Sequence, residues 1–480
     1  LLKEMDGGER LHRVLGPVAL TALGVGATIG AGIFVLTGQA ARADAGPSLV
    51  LSFLLAGVGC GFAALCYSEL ASMVPVAGSA YTYAYATLGE LVAWVIGWDL
   101  ILEYAIGSSA VAVGWSKYLG AFFQNQLGKT IDPRWLNSPW DFDLEKHAFF
   151  WKKVAIPQAD GSTMLVQAWG NLPALLIMVA ITVILVIGIR QSAWFNAAMV
   201  LLNLAVIGLV IALGSTYVDP RNWRPFLHEK NGWNGVAMGA AHIFFAYIGF
   251  DSISTHAEEA RNPRRDLAIG ILGSLVICTV LYVAVAAILT GMVPYQQIDD
   301  QAPIASAFQT HGTTWASGLI TVAILAGITS SLLVGTLSQP RILLAMARDG
   351  MLPPGIFAAI HPRFLTPWKS TILVGAVVGV IAALVPLNFL ADLVSVGTLF
   401  AFLIVCGAVW VLRHKSPELA RPFRVPALPV VASLGILVNG GLMFSLGKDN
   451  WIRLAVWLAI GLAIYFGYSR FHTKLDRAEV

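Results

Sequence analysis

The chain has 480 residues, of which 57% are hydrophobic and 12% charged, a balance that no water-soluble globule of this size can carry on its surface. Soluble enzymes and nucleic-acid-binding proteins are excluded, and a membrane protein is the class that remains. The net charge of +3 says less than where along the chain the basic residues fall.

A helix needs about 20 apolar residues to cross a hydrocarbon core roughly 30 Å thick. Backbone groups cannot stay unpaired in lipid, so such segments form helices. About twelve of them follow one another. They run over 17–38, 49–73, 79–121, 172–189, 194–215 and 234–257 in the first half, and over 266–292, 314–347, 369–386, 389–412, 427–446 and 451–469 in the second. The first begins near Pro17 at full span length, so it is expected to stay in the membrane and not to be cleaved as a signal peptide. Segments 79–121 and 314–347 exceed a bilayer's thickness and must tilt, kink or protrude. Cys60, Cys66, Cys278 and Cys406 all lie inside apolar runs and read as small buried hydrophobes, so neither a disulfide framework nor a metal site is expected, nor any other cofactor.

An even number of crossings puts both termini on one side. Lys3, Arg10, Arg13, Arg190, Arg261, Arg264, Arg265, Arg341, Arg348, Arg363, Lys369, Arg413, Lys415, Arg421, Arg424, Arg470, Lys474 and Arg477 all fall on that side, against six basic residues in the opposite short loops. Both termini are therefore expected in the cytoplasm, with the chain in the inner (plasma) membrane of the cell. The hydrophilic stretch 116–171 lies outside despite its basic residues, because long loops translocate largely regardless of charge. With Trp135, Trp140 and Trp151 it is expected to form a small external cap. No soluble domain of ordinary size remains, which leaves no place for a separate catalytic domain.

Taken in chain order, the spans carry two interruptions. The first packs Gly24, Gly26, Gly30 and Gly32 into one short run. This is either a break or close helix packing, since Gly26 and Gly30 have the four-residue spacing of small-residue interfaces. The sixth carries Phe-Phe-Ala-Tyr-Ile-Gly-Phe-Asp-Ser over Phe244 to Ser252, with a glycine and an acid in mid-membrane. The two lie five crossings apart, in equivalent positions if spans 1 to 5 and 6 to 10 are inverted repeats. Paired interrupted helices are the best sequence pointer to a midplane substrate site.

Such breaks suit a zwitterion. Free N–H groups at a half-helix start attract a carboxylate, and free carbonyls at a half-helix end attract an ammonium. Ala31 and Gly32 are expected to offer amides to the carboxylate, and carbonyls near Thr28, Phe245, Ala246 and Ile248 to accept from the amino group. Asp251 reads as an N-cap of the inner half-helix or as a direct ligand contact.

At these residues the chain resembles the amino acid–polyamine–organocation superfamily, and within it the cationic amino acid transporter family and its bacterial homologues. The resemblance rests on Gly-Ala-Thr-Ile-Gly-Ala-Gly-Ile-Phe at 26–34, Tyr-Ser-Glu-Leu-Ala at 67–71, Gly-Trp-Asp-Leu-Ile-Leu-Glu-Tyr at 97–104, Gly-Phe-Asp at 249–251, Glu-Glu-Ala-Arg-Asn-Pro at 258–263 and Pro-Arg-Ile-Leu-Leu-Ala-Met-Ala-Arg-Asp-Gly at 340–350. It implies an all-α membrane protein with a leucine-transporter-like five-plus-five inverted repeat and 12 transmembrane helices, of which the first and sixth are interrupted. Residues 1–215 would hold the N-terminus and first repeat, 216–412 the second repeat, and 413–480 two added spans and the C-terminus. The resemblance also implies alternating-access transport of an amino acid bound by Thr28, Ala31, Gly32, Phe245, Ala246 and Ile248, with Phe250 closing over it. Lipid surrounds it, and a small single-span membrane protein is the one macromolecular partner left open beside none. Two departures stand out. Some bacterial members have Thr where this chain has Ala31, and proton-coupled relatives have a fifth-span Lys where it has Asn203, as in the eukaryotic cationic branch.

An ionisable residue at bilayer depth is costly and marks function by default. Glu103 is the foremost case, with Asp99 one turn earlier on the same helical face. Glu103 is expected to be a proton site or to contact a distal substrate amine, with a packing role as the alternative. Thr329, Ser330 and Ser331 either bond neighbouring helices or line the substrate side chain. Glu69, Glu258, Glu259, Arg261 and Arg341 are candidates for an inner ion-pair gate, against a reading as solvated loop charge. No nucleotide-binding run occurs, and His242, the one histidine deep in a span, lacks the His-Glu-x-x-His setting of an intramembrane enzyme. The reading is a proton-coupled or exchanging carrier for a cationic (Arg, Lys) or small neutral (Ala, Ser) amino acid. The alternative is an amino-acid-gated channel or a transporter-like sensor.

Overall fold

A computed structural model describes residues 15–473 apart from 74–80, 83, 86–88, 144–147, 158–162 and 189–192, and without the side chains of 143, 157, 193–197 and 255–259. Lys3, Arg10, Arg13, Arg190, Lys474 and Arg477 lie outside these described residues. Among the described residues, nine helical stretches are long and apolar enough to cross a bilayer, and three more apolar helices are shorter.

The helices follow the hydropathy. They are α1 (Pro17–Thr28), α2 (Leu49–Met73), α3 (Glu90–Leu127), α4 (Leu172–Ile187), α5 (Ala193–Gly214), α6 (Gly232–Ile243), α7 (Pro263–Met292), α8 (Thr314–Arg348), α9 (Trp368–Leu384), α10 (Leu387–Lys415), α11 (Leu428–Ser445) and α12 (Lys448–Ile464). Lipid gives apolar side chains no reason to leave it, so these helices meet through small residues and polar tips. A Cβ on Gly114 of α3 would lie 2.8 Å from that of Ala31, and one on Gly57 of α2 would lie 3.0 Å from Thr279 of α7. Buried aromatic tips pair across helices: Trp94 Nε1 donates to the Gly461 carbonyl at 2.9 Å, Tyr118 to that of Phe34 at 2.8 Å, and Tyr247 to that of Phe53 at 2.8 Å.

Two helices are broken. α1 stops because Ile29 turns to extended backbone (φ −76°, ψ 103°). Helical geometry resumes at Ala31 and continues, with wide turns at Gly32–Leu36 and Ala41–Ala45, to Gly46 at φ 60°. α6 tightens into a 3₁₀ turn at Phe244–Tyr247, goes extended at Ile248 (φ −65°, ψ 135°) and resumes as a 3₁₀ helix over Phe250–Glu259. The hinge residue, Gly249, has φ 122°, which only glycine adopts without strain.

The expected loop from 116 begins later, because α3 runs on to Leu127 and ends at Gly128 with φ 61°. The cap is also not helical, which corrects the all-α expectation for this part. Three antiparallel ribbons pair β1 (Leu136–Asn137) with β6 (Gly170–Asn171), β2 (Trp140–Asp143) with β3 (Ala148–Trp151), and β4 (Lys153–Pro157) with β5 (Thr163–Gln167). Runs of aromatic and branched residues favour pleated pairing over helix. The cap seats on the membrane part through Phe142, Trp140 and Phe149, whose rings surround Phe389 of α10 at 5.7–6.2 Å. The Arg453 guanidinium of α12 lies 3.8 Å over Phe389 and 4.7 Å over Phe142. Within the cap Asp132 accepts two bonds from the Arg134 side chain, which holds its carboxyl below the ordinary carboxylate range.

Candidate functional site

The two breaks interlock. A Cβ on Gly32 would strike Ala246, and one on Gly249 would lie 2.7 Å from the carbonyl oxygen of Ala27. Each break therefore needs a glycine so that the other backbone can approach. Around the crossing lies a cavity of about 650 Å³, open mouth included. Ala27 to Gly32 of the first break and Phe245, Ile248, Gly249 and Ser252 of the second form one wall, save Ile29. Glu103, Tyr104, Gly107, Ser108 and Val111 of α3 form another, and Ser331, Val334, Gly335 and Ser338 of α8 a third.

Of the expected contacts, Thr28, Ala31, Gly32, Phe245, Ile248, Glu103 and Ser331 come together here. Ala246 packs against Gly32 behind the lining. Ala31 and Gly32 start the resumed helix, where N–H groups have no intrahelical acceptor. The carbonyls are less free than expected. Tyr282, buried in α7, donates to both the Thr28 carbonyl at 3.0 Å and the Ala246 carbonyl at 2.9 Å. Ser331 donates to the Ile29 carbonyl at 3.0 Å, and the Thr28 hydroxyl turns back to the Gly24 carbonyl at 2.7 Å. Each carbonyl keeps a second lone pair for a ligand. Sequence reasoning missed Tyr282. Its one signal is a phenol in the middle of an apolar span, which must find a partner when buried.

Other expectations are corrected. Phe250 does not close over the cavity; it is fully buried against Phe402 of α10, with ring centroids 5.4 Å apart, and Phe245 is the ring that lines the site. Phe250 follows the extended Ile248 and the positive-φ Gly249, which carry the chain away from the cavity. Asp251 is the second residue of its 3₁₀ helix and not the residue before it, and its carboxylate accepts backbone N–H groups at the start of that half-helix, those of Gly249 and Ser252 among them. Ser330 and Asn203 are not among the lining residues. Asn203 instead packs against Gly327 of α8, and its Oδ1 has no hydrogen-bond partner among the described residues. Thr329 accepts from Trp115 Nε1 at 3.0 Å, which is the helix-bonding role.

Glu103 faces the cavity within electrostatic reach of Asp99 and Asp251. Asp99 is fully buried beside Gly397 of α10, and neither of its carboxyl oxygens has a hydrogen-bond partner among the described residues.

Of the expected gate, Glu69 has other partners. Glu69, 1% exposed, pairs with Arg413 at the end of α10 and with Arg421 at 3.3 Å, and accepts from the Val425 N–H at 2.8 Å. Its described partners do not include Arg261 or Arg341, which lie at exposed positions. The Glu258 and Glu259 side chains lie outside the described residues.

The cap side of the cavity is fastened by polar contacts. Arg42 pairs with Asp300 at 3.1 Å. His242 of α6 stands between Asp44, at 2.6 Å from Nδ1, and Asp392 of α10, at 3.1 Å from Nε2.

A model of the family described as "Amino acid permease" matches residues 15–465. Over 478 residues the chain is 45% identical to a branched-chain amino acid permease of Bacillus subtilis (strain 168), covering 99% of this chain and 97% of that protein. It is 43% identical to a methylthioribose transporter of the same organism, with 99% and 97% covered. A vacuolar cationic amino acid transporter of Arabidopsis thaliana is 40% identical over 417 residues, 86% of this chain and 65% of that protein.

Proposed function

The chain belongs to the amino acid permease family and is a multi-pass membrane protein, and from that premise we propose that it is a secondary carrier moving an L-amino acid by alternating access. The observation that carries this reading is the pair of interlocked breaks with a cavity lined by both. In this reading the substrate carboxylate lies on the Ala31 and Gly32 amides, where the helix dipole is positive, and its ammonium meets the carbonyls around Phe245 and Ile248. A backbone-built site recognises what all amino acids share, so the side-chain wall sets selectivity.

That wall presents more apolar than polar surface, with Val111, Ile248 and Val334 around Gly107 and Gly335, and with the hydroxyls of Ser108, Ser331 and Ser338 among them. Of cationic and small neutral substrates it favours the neutral class, extended by Gly107 and Gly335 to branched side chains. A methylthioribose transporter among the relatives makes a non-amino-acid substrate part of the test. A second reading, a cationic side chain, is favoured by one residue, Glu103, whose carboxylate would pair with it.

Twelve crossings in a five-plus-five repeat, with both termini on the cytoplasmic side of the plasma membrane, complete the reading. Glu103 is the coupling group, since Asn203 cannot carry a proton. The test is uptake of radiolabelled amino acids, and of methylthioribose beside them, into proteoliposomes with and without a proton gradient. Saturable, gradient-stimulated uptake of an aliphatic amino acid is expected. Passage at ion-like rates, or binding without turnover, would replace the carrier by a channel or a sensor.

A further inference from the structure

The contacts that close the cap side include one whose proton count is constrained by geometry. Both ring nitrogens of His242 face carboxylate oxygens, at 2.6 Å and 3.1 Å. A neutral imidazole has a single N–H, so it donates to one carboxylate and points a lone pair at the other. Two donated bonds require the imidazolium. The acid side chains are 5% and 7% exposed and the imidazole 28%, so water reaches the ring while the carboxylates depend on it for a partner.

The three residues come from three elements that meet above the cavity. Asp44 ends the helical stretch after the first break, His242 precedes the 3₁₀ turn of the second, and Asp392 lies near the cap end of α10. Asp44 is anchored through its backbone, since Asn231 donates to its carbonyl at 3.1 Å. No other charged group among the described residues acts on the ring: Arg42 beside Asp44 pairs with Asp300, and α2 and α11, also packed on α6, bring none. The nearest cation is Arg453, within electrostatic reach of Asp392, and its Nη2 has no hydrogen-bond partner among the described residues.

We propose that Asp44, His242 and Asp392 form a proton-binding site whose bound proton holds the cap side of the carrier shut. Loss of the Nε2 proton to cap-side water leaves a lone pair against Asp392 Oδ1, and the repulsion releases α10, whose carboxylate then turns to Arg453. The site is separate from Glu103, which lines the cavity below. The inference rests on the alternating-access reading.

Closure binds one proton more than opening, so raising the pH through the transition shifts the open-to-closed ratio about tenfold per pH unit. The test uses the full-length protein in liposomes with nitroxides on Trp233→Cys and Asn388→Cys, exposed positions at the cap ends of α6 and α10, the native cysteines being buried. Electron–electron distance measurements are expected to give one short distance at acidic pH and a growing longer population as pH rises. His242→Gln is expected to show the longer population at every pH. A pH step that survives in His242→Gln overturns the proposal. Asp392→Asn keeps the shape, and its amide can donate to the neutral Nε2 that a carboxylate repels, so the short distance is expected to persist as pH rises; an unmoved step also overturns it. Uptake is measured on the same liposomes. A pH-independent distance in a protein that transports refutes the proton site and leaves the carrier, whereas a responding distance in a protein that moves no amino acid refutes the carrier and leaves the proton site.

Discussion

α10 is tied at both ends, and the two ties differ in kind. At the end away from the cap, Glu69 is held by Arg413, Arg421 and the Val425 N–H. Guanidinium groups do not lose their protons in proteins, so this cluster keeps its charge at any working pH. Arg421 is further fixed by four backbone carbonyls, those of Pro417, Leu419, Leu412 and Ser416. At the cap end, Asp392 is held by an imidazole, whose charge depends on one exchangeable proton. The ties sit on the order of 30 Å apart along the helix, a bilayer's thickness. One end is an anchor and the other, in the proposal, a latch, so release frees α10 at its cap end.

The comparison is broken most severely at the anchor. Glu69→Ala leaves the buried Arg421 guanidinium and the part-exposed Arg413 without their counter-charge and is expected to cost about 3–5 kcal/mol of stability. A thermal melt of the detergent-solubilised protein checks this, and a loss under about 1 kcal/mol would put the anchor in solvent, contrary to its burial. Next comes the crossing of the two breaks. Gly32→Ala pushes a methyl group into Ala246, an overpacking of about 1–3 kcal/mol. Substrate affinity, read by scintillation proximity, should fall roughly ten- to a hundredfold. Unchanged affinity would place the substrate elsewhere.

Glu103→Gln separates the two proton sites. Uptake is expected to lose its dependence on the proton gradient, while the pH step in the cap-side distance remains. If both vanish together, the latch is not independent of the cavity. The smallest effect is expected at the latch's neighbour. Arg453→Gln removes the cation over Phe389 and Phe142, about 0.5–1 kcal/mol. Amide exchange in β2 and β3 should quicken roughly two- to fivefold, with the melting temperature almost unmoved. No change in exchange would mean that the cap is held by its aromatic rings alone.

Much of this was legible in the chain. Hydropathy located the helices because lipid allows few other ways to pair a backbone, and the glycine run at 24–32 with Gly249 marked both breaks. Three misjudgements share one cause. Phe250 was expected over the cavity and Glu69 beside Arg261 and Arg341, and Tyr282 drew no notice. In each case the residue type is plain in the sequence, but its partner depends on which way the chain leaves a break or which distant helix lies beside it. His242 shows this most clearly. Its partner Asp44 is 198 residues away in the chain, so nothing local sets it apart from a packing histidine.

The order of apolar segments, the positions of the breaks and the acid in α3 were determined by the sequence alone, since each follows from local solvation and backbone freedom. Which carbonyl is capped by Tyr282, which arginine neutralises Glu69 and which two acids share His242 were decided only by tertiary structure. Charge pairing falls off over a few ångströms, and at that range position in space counts while position in the chain does not.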